Sequence, residues 1–234
     1  LNGSNIVGTG SKTSKKIFGS DYKDSPELLA NDVFKESRQT NYTNLTRIMV
    51  DNIGDAIDFV SEFANLDYKK AQTQTPEHSV ERQIELPSSS SYEFISKMSE
   101  SFQKKGGEIL LDVRVEDIVV EGNMVKGVIA ESKHASYYIE AKSIILAAGG
   151  YGAKVLKEGN GKGIDYYGPM TSTGDSYQFT HALSLKVHDS DWLKIYPHGV
   201  EVEPGIAKLT TYASKLATDM GAIYVNNDFF IFFY

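Results

Sequence analysis

Cysteine is absent from all 234 residues, and its absence removes disulfides, thiolate nucleophiles, CxxC redox pairs and zinc-thiolate or iron–sulfur ligation together. A basic excess is missing as well. The 24 Lys and Arg stand against 31 Asp and Glu, a formal net charge of -7, so there is no chain-wide cationic surface to follow a nucleic-acid backbone. A small anionic ligand in a locally positive pocket stays compatible with that balance. No apolar run approaches the roughly 18–20 residues that cross a bilayer. The opening LNGSNIVGTGSKT resembles neither a secretory leader nor a natural beginning. None of the five histidines pairs at metal-ligand spacing. There is also no GxGxxG to claim a dinucleotide.

What is there falls into blocks of different period. Leu1 to Gly19 is rich in Gly, Ser and Thr and reads as a loop lying against something. Ser25-Pro26-Glu27 supplies an N-cap, an N1 proline and an acidic first turn for a helix through LLANDVFKES. NLTRIMVDNIGDAIDFVSEFANL then sets Leu45, Ile48, Met49, Ile53, Ile57, Val60 and Phe63 at helical spacing, which predicts one apolar stripe along a long helix. Ala71 to Ser91 is polar and irregular. Tyr92 to Lys105 returns to helix and stops at Gly106-Gly107.

Beyond those glycines the period becomes that of strands. EILLDV, VEDIVVEG, MVKGVIAES, SYYIEA and KSIILAA are five short runs, interrupted by a hairpin-like Gly122-Asn123 and a turn near His134-Ala135. After a glycine-rich stretch, Thr173-Gly174-Asp175 opens a further helix through Leu185, followed by a short strand at Lys186–His188. The order of helices, mixed strands and helix predicts an α/β or α+β fold. In SIILAAGGYGA a strand runs straight into Gly149-Gly150. On the residues alone, that arrangement suits either a plain tight turn or backbone that approaches a phosphate or flat ring closely.

Five motifs in order give those glycines a context. Gly3-Ser4-Asn5-Ile6-Val7-Gly8-Thr9, Asp24-Ser25-Pro26-Glu27-Leu28 with Asp32, Leu111-Asp112-Val113-Arg114-Val115-Glu116-Asp117-Ile118, Ala147-Ala148-Gly149-Gly150-Tyr151-Gly152 and Ser172-Thr173-Gly174-Asp175 resemble the flavoprotein subunit of the fumarate reductase, succinate dehydrogenase and flavocytochrome c superfamily. The soluble fumarate or urocanate reductase branch is the most similar. The resemblance implies part of a flavin-dinucleotide-binding, Rossmann-like domain with a helical insertion and a small β-meander. It implies FAD across the carboxyl ends of the strands, with Gly3, Ser4, Asn5, Gly8 and Thr9 beside the isoalloxazine and Val115 offering backbone groups to the adenine. Ala147, Ala148, Gly149 and Gly150 would line the cofactor, and Thr173, Gly174 and Asp175 would face the same crevice.

The resemblance also implies an FAD-dependent oxidoreductase that reduces an α,β-unsaturated carboxylate, fumarate-like or bulkier such as urocanate, the alternatives being another flavin oxidoreductase of the superfamily, 3-ketosteroid dehydrogenase-like, or a non-catalytic flavin-binding paralogue. Residues 1–190 correspond to a partial FAD-binding domain, and 191–234 to the start of a substrate-capping domain. The family's GxGxxG precedes, and its proton-delivering arginine follows, the part matched here. The expectation is therefore an internal piece of a longer flavoprotein that is inactive alone, with the rest of that protein as its partner and the electron donor unspecified.

On the substrate side the pattern breaks. Aligned on Pro197, the family's carboxylate-clamping His position holds Tyr196, and His198 falls at its Thr. Thr211 is kept, and Tyr212 stands where the family has Glu. These four either fill core and surface loop or line a recast pocket in which phenol hydroxyls donate to a carboxylate. Phe229–Tyr234 departs from the family's charged run.

Overall fold

The computed structural model describes residues 5–71, 77–88, 90–154, 163–189, 192–193, 199–209, 220–221 and 228. The chain forms two compact units, 1–111 and 112–234. The first unit is mainly helical, with α1 (Lys12–Phe18), α2 (Pro26–Glu36), α3 (Thr43–Ala64) and α4 (Ser91–Lys104). Three short strands, β1 (Ile6–Val7), β2 (Lys69–Lys70) and β3 (Gln83–Glu85), make an antiparallel sheet in the order β1-β3-β2.

Local chemistry explains the ends of these helices. The Ser25 hydroxyl accepts the Leu28 N–H and Pro26 occupies the first turn of α2, as the sequence predicts. The stretch read as loop contains α1, because the Ser11 hydroxyl accepts the Ser14 N–H and Asp58 of α3 accepts the N–H groups of Lys12 and Thr13. That second partner lies 46 residues away, outside any local pattern. Gly106, at φ 88, ends the last turn of α4 in the left-handed region.

α3 has its predicted extent but a different buried face. Thr46, Val50, Gly54 and Ile57 are buried, while Leu45 and Ile48 are 57% and 61% exposed. The reason is steric. A Cβ at Gly54 would lie 2.8 Å from the backbone of Gly10 and Ser11, so the Gly8–Ser11 loop crosses the helix there and draws the Thr46–Val50–Gly54 row inward. Val50 packs with Leu29 and Ala30 of α2, joined by Val7, Val33, Phe34 and Ile53. A second cluster unites Ala64, Leu66 and Leu86 with Phe63, Tyr68, Phe94 and Met98. Each Leu removed from water in this way contributes roughly 1.5–3 kcal/mol.

The second unit is built from β-ribbons. β4 (Arg114–Glu121), β5 (Met124–Glu131) and β6 (Ser136–Glu140) form the meander predicted from the middle three apolar runs. Gly122 turns β4 into β5 at φ 61. α5 (Asp175–Ala182) follows, then a hairpin of β7 (Gly199–Glu203) and β8 (Ile206–Leu209) that the sequence did not announce.

The outer runs are corrections. Residues 108–113 and 142–148 are not strands, and neither is 186–188. A strand exists only where a second backbone edge takes its N–H and C=O groups, and none of the described strands pairs with these segments. Their apolar side chains stay exposed, 78% at Leu111 and 90% at Ile145.

Candidate functional site

The first unit carries Asn5, Gly8 and Thr9. Gly3 and Ser4 lie outside the described residues. Ile6 and Val7 pair with Ile84 and Gln83 of β3, which leaves Asn5 half-buried just ahead of the sheet. Gly8 is small for the protein's own sake. A Cβ there would lie 2.2 Å from the Ser14 hydroxyl oxygen and 3.2 Å from Ile84. Thr9 is fully buried and donates its hydroxyl to Asp24 Oδ2 at 2.6 Å.

Behind this loop stands a charge network that joins Asp24 and Asp32 of the second motif to Arg82. Arg82 is fully buried, with its Nη2 3.1 Å from Asp24 Oδ1 and 2.9 Å from Asp32 Oδ2. Asp24 also accepts from the Tyr22 hydroxyl and the Ser25 N–H, and Asp32 accepts from the Ser79 N–H and hydroxyl. Burial raises the Asp32 carboxyl, but the two Ser79 donors and the Arg82 charge outweigh it and hold its pKa below the ordinary value. Burial and the nearby Arg82 charge push the His78 imidazole down. Tyr22 is raised by burial and by its bond to Asp24.

In the second unit the site is assembled from backbone. Gly174, left-handed at φ 82, begins α5 with no side chain capping it, so the first-turn N–H groups of α5 present the positive end of the helix. Its own N–H donates to the Gly150 carbonyl at 3.1 Å, and the Ala153 N–H donates to Ser172 at 3.1 Å. Segments 150–153 and 172–174 therefore lie side by side. The Tyr151 ring meets Tyr177 edge-on at 4.5 Å and closes one flank. The remaining flank is open: a Cβ at Gly149 or Gly150 would meet nothing within 4 Å.

Other predicted residues gather there in different degrees. Thr173 donates to Asp175 Oδ1 at 2.9 Å. Ala147 and Ala148 are exposed in irregular backbone leading to Gly149. Val115 sits on β4 opposite Ala130, where the ladder slips by one residue before Asp117 and bends the strand. Arg114, beside it, places Nη2 3.6 Å from Asp175 Oδ2. Arg114 belongs to the third motif, but no role toward the uncapped start of α5 could be read from the sequence, because Asp175 lies 61 residues further on (175 − 114). Tyr196, His198, Thr211, Tyr212 and the Phe229–Tyr234 tail lie outside the described residues.

Glycine backbone facing open space beside an uncapped helix start is an anion- and ring-accepting arrangement, and the comparisons agree with it. The family model described as FAD binding domain matches residues 8–228. The chain belongs to the FAD binding domain family, and FAD is the cofactor that membership assigns.

Among individual proteins, the chain is 29% identical over 240 residues to the probable fumarate reductase Ifc3 of Shewanella frigidimarina (strain NCIMB 400), covering 97% of this chain and 38% of that protein. It is 28% identical over 134 residues to the NADH:fumarate oxidoreductase of Klebsiella pneumoniae (strain 342), covering 56% of this chain and 14% of that protein. The open conformation of a flavocytochrome c3 fumarate reductase superposes with a TM-score of 0.79 at 25% identity, over 97% of this chain and 40% of that one. The chain thus spans well under half the length of these relatives.

The donor set fits the cofactor. The start of α5, which has no side-chain cap, suits an anionic group, the absence of any Cβ at Gly149-Gly150 admits a close approach, and the guanidinium of Arg114, paired with Asp175, stands at the same helix start.

Proposed function

We propose that this chain is part of an FAD-dependent oxidoreductase that reduces an α,β-unsaturated carboxylate. The observation that carries the reading is the open Gly149-Gly150 backbone joined to the uncapped start of α5. The names of the matched relatives, both of which act on fumarate, support the substrate class. Reduced FAD supplies the hydride when bound.

The chain's own residues bind and orient. Gly149, Gly150 and the α5 N–H groups receive the cofactor, Ala147, Ala148, Thr173 and Asp175 flank it, Val115 offers backbone groups to the adenine, and Asn5 with the Gly3–Thr9 segment borders the ring. On the substrate side Tyr196, His198, Thr211 and Tyr212 donate hydrogen bonds to the carboxylate and draw electron density from the alkene. Phenol rings in place of a His and a Glu enlarge the apolar part of that pocket and favour acids broader than fumarate, urocanate among them. Residues 1–190 act as the flavin-binding part and 191–234 as the start of the cap. The 234-residue chain by itself holds FAD weakly and turns nothing over.

The test is a screen of fumarate, urocanate and cinnamate-type acids against the full reduced flavoprotein, with Tyr196→Phe and Tyr212→Phe beside it. Oxidation of the flavin by an enoate, slowed at least tenfold in the double variant with flavin content unchanged, is the expected result. No enoate-driven oxidation, or no effect of either substitution, contradicts it.

A further inference from the structure

Arg82 is the largest fully buried side chain among the described residues, and the chemistry above makes no use of it. A guanidinium is taken out of water at a cost of several kcal/mol unless the negative charges and acceptors around it are well arranged. Here the arrangement reaches three separate segments. Asp24 lies just before α2, Asp32 lies on α2 itself, and each accepts further bonds from elsewhere: Thr9, Tyr22 and Ser25 on Asp24, Ser79 on Asp32.

Arg82 touches the segment after β1 by two independent routes. Its own carbonyl accepts the Gly8 N–H at 3.3 Å. Its guanidinium holds Asp24, whose second oxygen takes the Thr9 hydroxyl at 2.6 Å. Two anchors on adjacent residues, together with the β1–β3 ladder at Ile6 and Val7, fix that segment in both position and orientation.

We propose that Arg82 is a positioning residue for the Asn5–Thr9 segment, acting through Asp24, and that it sets how this segment meets the flavin ring. The inference rests on the placement of Asn5–Thr9 beside the flavin given above. Both carboxylates meet one guanidinium nitrogen, Nη2, at the end of the side chain, and lysine, a compact point charge on a shorter stem, does not reach the same position.

The test compares Arg82→Lys with Leu66→Ala in the full-length, flavin-loaded flavoprotein. Leu66 belongs to the other hydrophobic cluster, away from the network, so its truncation lowers stability without touching Asp24 or Thr9. Two readouts are taken: amide hydrogen exchange at Gly8 and Ser11, and the flavin's visible spectrum and midpoint potential. At equal loss of Tm, Arg82→Lys is expected to speed exchange at those amides at least tenfold more than Leu66→Ala, and to shift the flavin spectrum and potential, which Leu66→Ala leaves in place. Thr9→Val cuts only the outer link, and it reproduces a smaller shift of the same sign should Arg82→Lys fail to fold. Flavin present but equal behaviour of Arg82→Lys, Thr9→Val and Leu66→Ala would overturn the inference alone. A wild-type full-length flavoprotein without bound flavin would overturn the flavin reading itself, and the inference with it.

Discussion

A methyl group added at Gly54, in the first unit, would lie 2.8 Å from backbone atoms of Gly10 and Ser11, whereas one added at Gly150, in the second, would meet nothing within 4 Å. The same residue type thus does opposite things. At two positions of the first unit glycine lets the protein approach itself: Gly8 admits Ser14 and Ile84, and Gly54 admits a loop. At the candidate flavin wall of the second unit, glycine leaves backbone bare toward open space.

The difference in burial runs parallel. The two clusters of buried apolar residues, and the Arg82 network, belong to the first unit. In the second unit the described residues that are buried and apolar are Ile118, Ala130, Phe179 and Ala207. The first unit is organised by its own side chains. The second is organised by backbone ladders, and Gly149, Gly150 and the start of α5 lie outside them.

Substitutions ordered by their cost to stability probe this contrast. Gly54→Val forces side-chain atoms onto rigid backbone and is expected to cost about 3 kcal/mol, the upper part of the range for overpacking, read as a fall in the urea midpoint. Acid comes next. His78 has a folded pKa below its unfolded value, so its neutral form supports the fold fully above about pH 6.5 and that support drains as pH falls below it. Asp32 is likewise depressed, so its contribution is present above its unfolded pKa near 4 and is lost as pH falls below that. Unfolding at a series of pH values should therefore show two successive losses, and His78→Gln removes the first. Ser25→Ala deletes the cap on the Leu28 N–H and is expected to cost about 1 kcal/mol by thermal or urea unfolding. Gly150→Val should change stability least, within about 0.5 kcal/mol, because nothing lies in its way.

Sequence legibility followed the range of the interactions. α2 was readable because Ser25, Pro26 and Glu27 carry its start within three residues. The β4–β6 meander was readable from alternation around Gly122-Asn123. α1 was not, since its start depends on Asp58, nor was β3, whose Gln83 and Glu85 are polar yet buried, Glu85 against Lys69 at 3.2 Å. On α3 the apolar spacing gave the helix but not its inward face, which a passing loop at Gly54 decides. Residues 108–113 and 142–148 have strand composition without a partner edge, and composition does not supply one. At the site, Gly149, Gly150 and Gly174 were visible as a motif order shared with a flavoprotein family. The pairings of Arg82 were not: its carboxylate partners sit 58 and 50 residues earlier (82 − 24 and 82 − 32), and Arg114 needed the position of α5 to acquire meaning.

The most direct test of the flavin wall is the FAD dissociation constant of the full-length flavoprotein with Gly150→Val, measured beside its unfolding midpoint. The account predicts at least tenfold weaker FAD binding with the midpoint unchanged. FAD affinity equal to that of the wild type would contradict it.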